Sequence, residues 1–277
     1  VNYWTSKNTP ERALSVLKQS LNKHSTNLML HLVKMQVLLN ARRSDEAKAW
    51  FKVLDKFTLN ENLRAGIEGR ILLLDNKFAE AIPKLKQQYQ VKQDSNNATY
   101  LALALEGNNQ KDEAIKVLEK YAEQSAENNK INPRISLNLA SMYLADDENK
   151  AIAEYEKLMK AQPKNIVALN NLSWLYMEHG KLTQALEYSK QAYEQAPKIP
   201  NVADTYAQVL LKLNKKAESL VKSEEAYRLS KGKDVDIALN YAEILLANNN
   251  SKDAKLVLND TKAVTAKQQE KKQKLMK

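Results

Sequence analysis

The sequence contains no cysteine, which excludes disulfides, thiolate metal sites, iron–sulfur clusters and cysteine nucleophiles. That absence suits cytosol and periplasm alike. Glycine and proline are scarce, five and six among 277 residues, too few turn-formers for an all-β chain. No stretch approaches the roughly 20 apolar residues of a spanning helix, so no membrane insertion is expected within this segment, and no basic-then-apolar leader opens at Val1. There are only three histidines, His24, His31 and His179, and none shares the i, i+4 spacing that sets two imidazoles on one metal. Glycine-rich phosphate loops and the G-x-S-x-G elbow are missing, and Gly66 and Gly69 fall inside the helical word RAGIEGR. Paired acids at Asp45–Glu46, Asp112–Glu113 and Asp146–Asp147–Glu148 fit the first turns of helices, where the helix dipole favours negative charge. No catalytic, cofactor-binding or metal-ligating residue is assigned, and the chain reads as non-enzymatic.

Lysine and arginine outnumber the acids 43 to 33, a net charge of +10. Half of that excess lies beyond Thr261, where Lys262, Lys267, Lys271, Lys272, Lys274 and Lys277 face one acid, Glu270. A charge concentrated in a lysine-rich tail, without arginine clusters or interleaved aromatics, disfavours nucleic acid as the partner. Residues 266–277 read as a solvated terminal helix or frayed tail.

Self-similarity decides the fold. In residues 165–197, Leu169, Leu172, Ser173 and Tyr176 form one helical stripe, and Leu182, Ala185, Leu186, Ser189 and Ala192 a second, joined at His179–Gly180. Ala185 must be small because the two helices cross there. A small residue in the same setting recurs at Ala13, Ala47, Ala81, Ala114, Ala151, Ala185, Ser219 and Ala254, at intervals of 34, 34, 33, 37, 34, 34 and 35. Asn76, Asn109, Gly180, Asn214 and Asn249 stand at the turns, where asparagine and glycine tolerate the left-handed backbone. The long interval is assigned to a polar loop over residues 124–132.

These words, ERAL, DEAK, AEAI, DEAI, NKAI, TQAL, AESL and KDAK, together with the closing Pro163 and Pro197, resemble the tetratricopeptide repeat, a helix–turn–helix unit of 34 residues. The resemblance implies an all-α, right-handed superhelix with first helices lining a concave groove. It would form one solenoid domain: a partial unit over residues 1–26, repeats over 27–60, 61–94, 95–131, 132–165, 166–199, 200–233 and 234–263, and a basic helix or tail over 264–277. The small residue of the first helix is Gly69, Ala102, Ala140, Ser173, Ala207 and Ala242, but Met35 in the first full repeat, where the pair is expected to splay. The incomplete first unit implies that the native protein continues before Val1, with Trp4 packing where a first helix belongs; a short irregular cap over residues 1–9 is the alternative.

In this family the groove-facing positions lie two, five, nine and twelve residues into the unit. They fall on Val167, Asn170, Trp174 and Met177, on Arg134, Leu137, Ser141 and Leu144 in the repeat before, and on Asn201, Asp204, Gln208 and Leu211 in the repeat after. Asn138 and Asn171 lie beside the stripe. Trp174 flanked by amides suits a peptide that needs backbone hydrogen bonds and a side-chain platform; the other placement open to it is inter-repeat packing. Earlier groove positions are apolar, at Met29, Leu32, Leu39, Leu63, Leu73 and Leu103. Relatives that grip acidic chaperone tails carry lysine, arginine and asparagine on three successive first helices; around Asn171 the matching positions are Leu137, Ser141, Asn201 and Thr205, so that clamp is missing.

The reading is therefore a non-catalytic scaffold that binds a protein or peptide segment in its groove and needs no cofactor. Its oligomeric state is left open. Alternatives are a polyanion binder, taking polysaccharide or nucleic acid on the basic surface, and a regulatory module of a larger protein. The run from Leu169 to Asn214 also resembles the C-terminal repeats of bacterial lipoproteins of exosortase-type sorting and exopolysaccharide export, which implies the periplasm or cell envelope, with the cytoplasm as the alternative.

Overall fold

The structure is a computed structural model that describes residues 9–126 and 131–277; Trp4 and residues 127–130 of the expected loop lie outside the described residues. Among the described residues sixteen α-helices follow one another and there is no strand. The chain divides into two compact units, Val1–Met142 and Tyr143–Lys277.

The first unit contains α1 (Pro10–Lys23), α2 (Leu28–Asn40), α3 (Ser44–Val53), α4 (Glu61–Leu74), α5 (Phe78–Val91), α6 (Ser95–Gly107), α7 (Lys111–Ala126) and most of α8 (Pro133–Tyr143). The second contains α9 (Glu148–Ala161), α10 (Ile166–Glu178), α11 (Leu182–Gln195), α12 (Pro200–Lys212), α13 (Lys216–Leu229), α14 (Val235–Ala247), α15 (Ser251–Asp260) and α16 (Ala266–Met276). Residues 124–126, expected in the loop, instead complete the last turn of α7. Their Gln-Ser-Ala composition is compatible with helix.

Five of the first helices share one capping chemistry, whereas α12 begins after Ile199 without a side-chain cap. Asn27, Asn60, Asp94, Asn165 and Asp234 cap first helices with side-chain oxygens that accept from the backbone N–H three residues on; such a cap contributes about 1 kcal/mol. First helices end in a left-handed residue, at Asn76, Asn109, Gly180, Asn214 and Asn249, all with φ between 59° and 71°, and at Arg42 with φ 57°. The following N–H then reaches back over the turn, as Lys77 N–H does to Leu72 O at 2.9 Å and Lys181 N–H to Tyr176 O at 2.8 Å.

All eight recurring small residues are fully buried, among them Ala185 and Ser219 where α10 crosses α11 and α12 crosses α13. Ser173 Oγ donates to Ala185 O and Ser219 Oγ to Ala207 O, both at 2.8 Å, across those crossings. Met35 is buried in a cluster with Ala47, Leu54 and Ile67, and α3 is only ten residues long before a 3₁₀ turn over Leu54–Lys56. In the second unit the apolar clusters join a second helix to the next first helix, Ala192 with Val202 and Ala226 with Ile237. Stability in such a stack is a sum of neighbour interfaces.

Candidate ligand groove

First helices α10, α12 and α14 of the second unit present their stripes to a cavity of about 550 Å³, within the range of ligand pockets. Trp174 and Met177 reach it from α10, Asp204 and Gln208 from α12, and Asp236, Leu239, Asn240 and Glu243 from α14. The placement of Trp174 is thus on the cavity, half-buried. The fourth wall is α16, which contributes Gln268 and Lys271.

The tail is neither frayed nor merely solvated. Thr265 and Gln268 close a capping box at the start of α16. Lys271 Nζ donates to Asn240 Oδ1 at 2.6 Å and pairs with Glu243 at 2.7 Å; Gln268 Nε2 donates to Asp236 Oδ1 at 3.0 Å and Lys272 Nζ to Thr261 O at 2.7 Å. Leu275 packs on the cluster around Leu239 and Leu258. The sequence pattern of the tail is almost wholly polar, so the acids of α14, one repeat away, determine where it docks.

Two polar atoms of the cavity lining are buried without a hydrogen-bond partner, Asp204 Oδ1 and Gln208 Nε2; Asn170 Oδ1 is likewise unpartnered, but Asn170 is not among the lining residues. Asp204 Oδ2 accepts from Asn240 Nδ2 at 2.7 Å. Burial pushes the Asp204 carboxyl up to about 7, against the Asn240 hydrogen bond and the Lys271 charge, which favour the ionised form; Asp234 and Asp236 reinforce the rise. Near neutral pH the cavity therefore offers the Gln208 amide donor and a carboxyl that serves as donor or acceptor, beside the Trp174 ring.

The remaining candidates lie elsewhere. Asn171 Nδ2 donates to Tyr155 Oη at 2.6 Å, so it ties α10 to α9 and is not an open ligand group. Arg134, Asn138 and Ser141 belong to the first unit. Ser141 is exposed, Asn138 Nδ2 is buried without a partner, and Arg134 lines a separate cavity. Sequence reasoning missed Asp236, Leu239 and Glu243, although counting one more repeat along the same stripe reaches them.

The paired acids sit at helix starts, Asp147 as the cap of α9 with its side chain accepting from Lys150 N. His31 stacks on Trp50 and His179 bonds Leu175 O. Among the described residues no group of three or more histidine, aspartate or glutamate side chains is placed to hold a metal, and no helix is long and apolar enough to cross a membrane.

Residues 154–187 match the tetratricopeptide repeat family model, and solved structures similar in fold include proteins described as carrying such repeats. The APC/C hetero-tetramer Cut9–Hcn1 is similar with a TM-score of 0.72 and 13% identity, over 97% of this chain and 53% of that one, so the chain spans about half the length of that relative. A tetratricopeptide repeat protein from Parabacteroides merdae is similar at 0.66 and 16% identity, over 78% and 85% of the two chains. YrrB, described as a TPR protein with an unusual peptide-binding site, is similar at 0.51 and 16% identity, over 63% and 89%. No curated protein matches the sequence.

Proposed function

We propose that the chain is a protein–protein interaction scaffold whose second unit holds an extended segment of a partner against Trp174. The observation that carries this reading is the pair of unpartnered buried atoms at Asp204 and Gln208, beside the half-buried indole. Leaving such groups unsatisfied costs about 1–3 kcal/mol each, a cost that a peptide backbone, with alternating donors and acceptors, relieves. The peptide-binding site named for YrrB supports the same reading by likeness of fold. The polyanion alternative loses support because Lys271 and Lys272 are already engaged within the chain. The setting we propose is a bacterial envelope assembly, which subcellular fractionation of the source organism tests directly.

The binding test is an affinity pull-down from a bacterial lysate, envelope fraction included, at low and moderate salt, comparing the chain with Trp174→Ala. A partner retained at both salts and lost with the variant is the expected result, since truncating a groove aromatic typically costs about 2 kcal/mol, roughly thirtyfold. Bands that are equal, or that vanish with salt alone, overturn it.

A further inference from the structure

In the first unit, Arg70 on α4, Tyr100 on α6 and Arg134 on α8 meet over a second cavity, of about 680 Å³. The Arg70 guanidinium lies 4.3 Å from the Tyr100 ring centre and that of Arg134 5.5 Å from it. Arg70 donates from Nη1 to Gln36 Oε1 at 2.8 Å and from Nη2 to Asn40 Oδ1 at 3.1 Å; Arg134 donates from Nη1 to Asn96 Oδ1 at 2.7 Å. These partners are neutral amides. They orient the guanidiniums without neutralising them, and neither arginine has an ion pair among the described residues. Arg42 adds a third cation to the wall and Glu106 supplies its one acid.

Leu39, Leu73, Leu74, Phe78 and Leu103 form an apolar surface beside them, with Asn40 and Asn76 as the remaining polar side chains of the lining. Two forked cations held in place beside an apolar surface match a carboxylate with an apolar neighbour. Nucleic acid fits less well, because Arg70 and Arg134 already cover Tyr100, the aromatic face on which a base would stack.

We propose that this cavity binds a partner protein segment carrying an acidic side chain next to apolar residues, the carboxylate lying between Arg70 and Arg134. The site is separate from the Trp174 groove and does not rest on the function proposed for it.

The test is fluorescence polarisation with the full chain and a labelled peptide pool, Gly-Ser-Z-Glu-Z-Ser-Gly, where Z is an equimolar mixture of Leu, Ile, Val and Phe, against the same pool with Gln in place of Glu. The glutamate pool is expected to bind at least roughly tenfold more tightly, as charge-assisted hydrogen bonds do. Arg134→Gln should reduce it to the level of the glutamine pool, and Trp174→Ala should leave it unchanged. Arg70→Lys should weaken it while keeping the charge, because the fork is lost. Arg70 is bonded internally and its variant needs a thermal melt to show that it folds; Arg134 is exposed and its substitution keeps the question answerable. Equal binding of the two pools, no binding of either, or full retention in Arg134→Gln overturns the proposal. So does displacement by excess inorganic phosphate or single-stranded oligonucleotide at constant ionic strength, either of which would assign the site to a free anion or a nucleic acid.

Discussion

Asp204 is the residue on which pH acts most directly. Its folded carboxyl titrates at about 7, above the ordinary 3.8, so between these values the folded state holds more protons than the unfolded one. Its contribution to stability is therefore complete below about pH 4 and is lost as pH rises to about 7. Asp204→Asn should be more stable than the parent at pH 8, by about 2 kcal/mol, with the advantage shrinking toward pH 4; urea melts of both proteins at the two pH values measure this. Lys271→Met removes the charge that opposes the rise and should move the Asp204 titration upward, read by NMR of its carboxyl carbon.

At this scale the sequence was legible where a position follows from the period. Trp174, Met177, Asp204 and Gln208 lie eleven, eight, fifteen and eleven residues before a buried small residue, and all four face one cavity. Arg70 stands eleven residues before Ala81, the register of Trp174, so the same count applied to an earlier repeat reaches it. The Asn171 bond to the Tyr155 hydroxyl, which comes from the preceding helix, has no signal in the sequence, because periodicity carries no information about such a bond.

At the scale of the helix pair, the crossing and the turn carry the fold. Ala185 has no exposed surface, and a leucine there would force α10 and α11 apart; Ala185→Leu should lower stability by about 1–3 kcal/mol in a denaturant melt. Asn214 holds φ at 59°, a conformation that a β-branched side chain strains, so Asn214→Val should cost about 1–2 kcal/mol while Asn214→Gly stays near neutral. Both features could be read in the sequence, because small residues and turn asparagines recur at a fixed interval. The docking of α16 could not. Its contacts are long, charged side chains reaching Asp236, Asn240 and Glu243, and a lysine-rich word looks the same whether it is solvated or paired.

For the whole molecule, a chain of neighbour interfaces predicts that damage stays local. Ala47→Leu should depress amide protection in α2 to α5 and leave that of α12 to α15 within about a factor of three, by native-state hydrogen exchange. Loss of protection along the full chain would mean a single cooperative core instead. The two cavities give the molecule two surfaces of different chemistry, amide and indole in the second unit, guanidinium and leucine in the first. The two proposals together predict two partners, or two segments of one partner, whose affinities can be altered separately.

The central claim, that a protein ligand lies along the first helices of the second unit, is tested most directly by site-specific photo-cross-linking. The photoreactive residue benzoylphenylalanine is placed either at Met177, on the cavity, or at Val221, which is 60% exposed on the second helix α13. A groove ligand predicts a discrete protein adduct from position 177 that survives moderate salt, and none from position 221. Equal adducts from both positions, or an adduct from 221 alone, would contradict it.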